Sequence, residues 1–211
     1  MIGFLKPAKF VTPLPESQID PSYRRYRLQL FLTAYLGYMA YYFVRSTLAL
    51  AKPYFLKDGF TMAQVGYLGS ALAVTYGLSK FIMGNVSDRS NPRYFLALGL
   101  FLSALVNLLV PGTLSFSGLF LLMLMNGWVQ GMGWPPCGRI MTHWFSDSER
   151  GTKMSIWNTA HNVGAGLLPF IVAIGVWAFG SWSGLFYLPA ICAIVFSILI
   201  KFNTKINTKH T

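Results

Sequence analysis

Not one of the six acidic residues in this 211-residue chain falls inside its long apolar runs, although those runs take up most of its length. Six segments approach the about 20 mainly apolar residues that a membrane crossing needs. They lie near 28–51, 63–86, 94–110, 117–139, 154–178 and 185–201. Hydrophobic residues make up 54% of the chain and charged residues 11%. Water-soluble domains carry about 25% charge. A surface this poor in charge cannot be solvated by water, so the chain is expected to be an all-α membrane protein with six transmembrane helices.

The formal charge of +11 would suggest nucleic acid in a soluble protein. Here the basic residues sit between the apolar runs, where they orient the chain in the bilayer, and no nucleic-acid partner is expected. Lys6, Lys9, Arg24, Arg25, Arg27, Arg89, Arg93, Arg139, Arg150, Lys153, Lys201, Lys205 and Lys209 fall on one side. Lys52 and Lys57 alone fall on the other. The positive-inside rule then places both termini in the cytoplasm. The expected organisation is a tail over 1–27, a six-span bundle over 28–201 and a second tail over 202–211. The polar first tail lacks the apolar stretch of a cleavable signal. Cys137 and Cys192 read as small buried hydrophobes rather than a disulfide.

Two bases are left inside the spans, Arg45 and Lys80, and no span offers them a carboxylate. Each costs about 2.5–3.5 kcal/mol at the bilayer centre on insertion scales. Both lie close enough to a span end to snorkel, so hydropathy alone leaves an interfacial role and a buried anion site open. Their neighbours favour the site. Tyr38, Tyr41, Tyr42 and Arg45 recur at i, i+3, i+4 and i+7, which gathers phenols and a guanidinium on one helix face. Tyr76 precedes Lys80 by one turn. His161 by itself would read as a hydrogen-bonded structural residue. With Asn158 at i−3 and Asn162 beside it, it reads as a further wall of the same site, where an imidazole can take up a proton beside an anion.

Gly127, Gly131, Gly164 and Gly166 provide small faces for close helix packing. Pro135, Pro136 and Pro169 are expected to kink the fourth and fifth spans. There is no metal-ligand cluster and no nucleophile–base pairing, so neither an enzyme nor a cofactor or metal is expected.

Gly84-Asn-Val-Ser-Asp88-Arg89-Ser-Asn-Pro-Arg93 resembles the cytoplasmic loop motif of the major facilitator superfamily, with Asn91-Pro92 where a glycine is usual. The segments Ile19–Arg25, Lys80–Gly84, Gly127–Arg139 and Trp157–Gly164 are similar to the organophosphate:phosphate antiporter family within it. That resemblance runs from about residue 4 to 201. It implies two six-helix bundles around a shared cavity, in the inner membrane of a bacterium. Inorganic phosphate would leave as an organic phosphate enters. Carried over by motif, Arg45, Lys80 and His161 bind the phosphate, and Tyr38, Tyr42, Tyr76 and Asn158 line the cavity. Asp88, Arg89, Glu149 and Arg150 stand at the ends of rocking helices as a cytoplasmic gate. The Gly131–Arg139 run favours glycerol-3-phosphate as cargo; hexose phosphate, phosphoglycerate and a transporter-like sugar-phosphate sensor are the alternatives. The family has twelve spans, so the resemblance also implies that a carboxy-terminal six-span half must supply the second phosphate arginine.

Overall fold

The structure, a computed structural model, describes residues 16–203 apart from Leu114. Most of the two expected tails, 1–27 and 202–211, lies outside the described residues. The described chain is helical with no strand: α1 (Glu16–Arg45), α2 (Thr47–Lys57), α3 (Met62–Asp88), α4 (Pro92–Leu109), α5 (Phe116–Gln130), α6 (Trp134–Trp144), α7 (Asp147–Asn158), α8 (Ala160–Phe179) and α9 (Gly184–Asn203). A 3-10 turn, Val110–Gly112, follows α4.

The boundaries follow local chemistry. At the start of α3, Thr61 and Gln64 exchange side-chain and backbone hydrogen bonds at 2.9 and 3.2 Å, which satisfies two amides the helix leaves free. Asn91 caps α4 by accepting from the Arg93 amide at 3.1 Å, with Pro92 in the first turn, where its missing N–H costs nothing. Gly180 ends α8 in the left-handed conformation, φ +63°.

Helix and apolar run do not coincide. α1 starts at Glu16, well before the first run, and continues with a one-residue turn at Ser46 into α2, which reaches Lys57. The expected connection Lys52–Met62 is therefore half helix. The expected loop Ile140–Lys153 is almost wholly helical, split between α6 and α7 at Phe145 and Ser146. The fourth run breaks at Gly131–Gly133, just ahead of the two prolines, which occupy the first turn of α6. The fifth breaks at Thr159, while Pro169 sits inside an uninterrupted α8.

Three helical stretches are long and apolar enough to cross a membrane by length and composition: Pro92–Gly112, Asp147–Phe179 and Gly184–Phe202. The remaining elements hold most of the polar residues singled out above, namely the tyrosines and Arg45 of α1 and Tyr76 and Lys80 of α3. α2, α5 and α6 are each too short to cross by themselves, at 11, 15 and 11 residues, while in α1 and α3 these polar side chains lower the hydropathy.

α1 runs through the middle and packs against α4, α6, α8 and α9. α3 lies on α5 and α6, and α9 bridges α4 and α8. Glycines set the closest approaches. A Cβ at Gly127 would collide with Thr75 and the Leu72 carbonyl, and one at Gly131 with Ser79, so α5 sits hard against α3. Gly164 meets the Met39 carbonyl of α1, and Gly175 meets Gly184 between α8 and α9. Gly166 has nothing within 4 Å. Outward faces carry large apolar side chains such as Phe81, Phe170 and Trp177.

Candidate functional site

Arg45 is the last residue of α1, where the helix breaks and its side chain turns back along the bundle. Its Nε donates to Gln130 Oε1 at 2.9 Å and Nη1 to the Tyr42 hydroxyl at 3.3 Å. The guanidinium carbon lies 4.0 Å from the centre of the Tyr76 ring and 4.8 Å from that of Tyr42. Nη2 is buried and has no hydrogen-bond partner among the described residues. A buried donor without a partner costs about 1–3 kcal/mol, more when charged, so this edge of the fork is a position where an oxygen anion gains most.

Lys80 joins from α3. Its Nζ stands 4.9 Å from the Tyr76 ring centre and 5.6 Å from that of Trp134. His161 joins from α8, its ring 5.5 Å from that of Tyr42. Tyr38 is buried, packed on Trp157 at 4.8 Å and on Tyr42 at 5.7 Å. α1, α3 and α8 thus bring together Tyr38, Tyr42, Arg45, Tyr76, Lys80 and His161. Neither Arg45 nor Lys80 is in an ion pair among the described residues; the two that occur there are Arg27–Glu149 and Arg150–Asp147. Trp134, beside Lys80, and Asn158, at the end of α7, are both exposed.

Asn158 is the final residue of α7, next to Trp157, and its side chain forms no hydrogen bond with the described residues. The one-residue turn at Thr159 keeps helical backbone angles (φ −68°, ψ −16°), so Asn158 and His161 stay about one turn apart along a nearly continuous helix. Tyr41 departs from the phenol face. It is completely buried and donates to the Leu96 carbonyl at 3.0 Å, pinning α1 to α4. Three residues of the cluster had no role assigned from sequence: Gln130, Trp134 and Trp157. They come from the break between α5 and α6 and from the end of α7. The approach of the Gln130 amide to Arg45, of Trp134 to Lys80 and of Trp157 to Tyr38 has no periodic signature.

The four residues expected at a cytoplasmic gate lie at helix ends. Glu149 pairs with Arg27 of α1 at 2.5 Å, and Arg27 also lies over the rings of Tyr23 and Phe145. The hydrogen bond from Arg27 holds the Glu149 carboxyl below the usual carboxylate range. Arg150 pairs with Asp147 at 2.6 Å and donates to the Thr142 and Phe145 carbonyls at 3.1 and 3.2 Å. Asp88 and Arg89 are exposed at the end of α3 and make no ion pair among the described residues. Arg139 of α6 closes that helix end, donating to the Ser87 and Ser90 carbonyls at 2.9 and 2.8 Å. Among the described residues no group of histidine, cysteine or carboxylate side chains is arranged to hold a metal. Cys137 is buried and Cys192 half-buried, both unpaired.

An all-helical bundle with large apolar side chains on its outer faces, around a cationic and aromatic cluster with no carboxylate among the described residues, has the make-up of an integral membrane protein. The chain belongs to the Major Facilitator Superfamily, whose sequence pattern matches residues 34–210. It is 52% identical over 204 residues to the glycerol-3-phosphate transporter of Bacillus subtilis, covering 95% of this chain and 46% of that protein. The glycerol-3-phosphate transporter of Haemophilus influenzae is 45% identical, covering 96% of this chain and 45% of the relative. A membrane sensor protein of Escherichia coli is 38% identical over 95% of this chain and 46% of its own. The chain therefore spans about half the length of the curated relatives it matches. These relatives bear the names of transporters and a sensor, and none that of an enzyme. The fold matches a bacterial homolog of the human lysosomal transporter Spinster, with a TM-score of 0.71 at 20% identity, over 85% of this chain and 43% of that one.

Proposed function

We propose that this chain is the amino-terminal six-span half of a secondary antiporter that exchanges glycerol-3-phosphate for inorganic phosphate across the bacterial inner membrane. Residues 28–201 form the bundle, 1–27 and 202–211 are its tails, and both termini face the cytoplasm. The observation that carries the reading is the buried Nη2 of Arg45, unpartnered among the described residues, with Lys80 and His161 near the same two tyrosine rings and no described carboxylate paired with Arg45 or Lys80. Arg45 and Lys80 bind the phosphoryl oxygens, and His161 adds a third polar contact from α8. Tyr38, Tyr42, Tyr76 and Asn158 line the approach.

The same electrostatics favour exchange over one-way movement. An empty site carries uncompensated positive charge into a low-dielectric closed state, whereas a bound phosphate neutralises it. Asp88, Arg89, Glu149 and Arg150 form the gate, changing partners as the bundle rocks; exposed ion pairs of about 0–1 kcal/mol suit such a switch. Glycerol-3-phosphate is preferred as cargo because the two relatives at 52% and 45% identity carry it in their names.

A second six-span partner completes the site. Polar groups at membrane depth need a protein or aqueous surround, and a guanidinium from each side would clamp one phosphate. The test is the purified chain in phosphate-loaded liposomes, with and without a co-expressed carboxy-terminal half, assayed for uptake of labelled glycerol-3-phosphate. Uptake only with both halves is the expected result. Robust exchange by the chain alone would replace the half-site with a homodimer, and no exchange by the pair would defeat the antiporter reading.

A further inference from the structure

Gln130 has no exposed surface and ends α5 immediately before the break at Gly131–Gly133. Its Oε1 accepts from Arg45 Nε at 2.9 Å; its Nε2 donates to Ser103 Oγ at 2.7 Å and to the Tyr41 carbonyl at 3.4 Å. Ser103 donates onward to Asn126 Oδ1. Asn126 and Asn107 both donate to the Val44 carbonyl, at 3.3 and 3.0 Å, beside the break that ends α1. A buried chain of amides and a hydroxyl thus connects α4 and α5 to the residue that carries the guanidinium.

Donor and acceptor chemistry fixes the direction of this chain. Arg45 has donors only, so the Gln130 oxygen must face it, and the amide nitrogen must then face Ser103. The Nε edge of the guanidinium is held, its plane is held by the Tyr76 ring, and Nη2 is left over. Every member of the network is neutral. A carboxylate at position 130 would form the same bond to Nε and would also cancel the charge.

We infer that Gln130 is the positioning residue of the phosphate site: it fixes the Arg45 fork for a phosphate or phosphomonoester while leaving its charge to the ligand. This rests on the anion-site reading above. Affinity and stability then respond in opposite order to two variants of similar shape. Gln130→Glu supplies an internal counter-ion, so it should melt at or above Gln130→Met yet bind phosphate less well, by about tenfold or more against the parent, the scale of one charge-assisted bond. A merely structural role makes affinity follow stability through the series.

The experiment titrates the 211-residue chain, assembled with a co-expressed carboxy-terminal half in lipid nanodiscs, with inorganic phosphate, read by phosphorus NMR line broadening, with thermal unfolding measured alongside. Parent, Arg45→Ala, Gln130→Glu, Gln130→Met and Ser103→Ala are compared. Weaker binding by Arg45→Ala, with Gln130→Glu the poorer binder and the better folder of its pair, supports the assignment. Equal binding by parent and Arg45→Ala defeats the anion site and takes the Gln130 role with it. Loss in Arg45→Ala with parent-like affinity in Gln130→Glu, or affinity that tracks melting, overturns the Gln130 role alone. Should neither Gln130 variant fold, Ser103→Ala decides: it removes only the far anchor of the amide, so a several-fold affinity loss supports the role and parent-like affinity overturns it.

Discussion

Gly164 and Gly166 lie two residues apart on α8, and the structure gives them opposite responses to the same change. Replacing a helical glycine with alanine gains about 0.5–1 kcal/mol where the methyl group has room. At Gly166 nothing lies within 4 Å, so that gain should be realised in full. At Gly164 the new Cβ would run into the Met39 carbonyl and lie 3.0 Å from Tyr42 Cβ, both on α1. The first of these atoms is backbone and cannot swing aside. Overpacking of this kind costs about 1–3 kcal/mol, which outweighs the helical gain. Gly164→Ala is therefore expected to destabilise the bundle and Gly166→Ala to leave it unchanged or firmer, with the two variants separated by about 1–3 kcal/mol. Unfolding in lipid–detergent micelles, followed by tryptophan fluorescence, gives both values. His161 is one turn before Gly164 and touches Tyr42, so phosphate affinity should drop with Gly164→Ala and hold with Gly166→Ala. Equal stability and equal affinity for the two variants would refute the close α1–α8 approach.

Arg45→Lys keeps a positive charge but loses the Nε bond to Gln130 and the planar fork. Phosphate affinity should weaken about 10- to 100-fold, equivalent to one or two charge-assisted bonds, which isothermal calorimetry can measure. Arg139→Ala strips two donors from the Ser87 and Ser90 carbonyls, so amides around 86–91 should exchange hydrogen faster while those in α9 do not change. The Glu149 carboxyl is held low by Arg27, so the contact persists from neutral pH down through the ordinary carboxylate range and is lost only as pH falls through the depressed value. In Arg27→Ala the carboxyl should titrate at higher pH by NMR; an unshifted titration would discard the pairing. Asp88→Asn, in the assembled carrier, should slow exchange more than it alters phosphate affinity, and equal exchange rates would remove Asp88 from the gate.

Much of the clustering of side chains was legible because its core obeys helical periodicity. Tyr38, Tyr42 and Arg45 share a turn-by-turn spacing, and Tyr76 and Lys80 share another. Tyr41 shows where periodicity runs out. A face that includes both i+3 and i+4 is wide enough to reach two environments, and Tyr41 points into the α1–α4 contact instead of the cluster. The ends of helices were read too short because hydropathy reports where a chain is apolar, whereas backbone hydrogen bonding continues past that point into Lys57 at one end and back to Glu16 at the other. The role of Gln130 was hidden for a different reason: it depends on partners in α1 and α4 that are far apart in sequence.

The break at Gly131–Gly133 bears on how such a chain is built into a bilayer. α5 and α6 contain 15 and 11 residues, about 22 and 16 Å of helix at 1.5 Å per residue. Each falls short of a hydrocarbon core about 30 Å thick. Neither piece can hold itself across the lipid while the ribosome is still extending the chain. On the six-span reading they enter as one unit, and that unit leans on a neighbour already in place. α3 meets this need: it is synthesised earlier, and Thr75 and Ser79 fit closely against Gly127 and Gly131 of the later arrival. Changes that widen this seam would therefore act first on the yield of correctly inserted protein, before any property of the finished molecule could be measured.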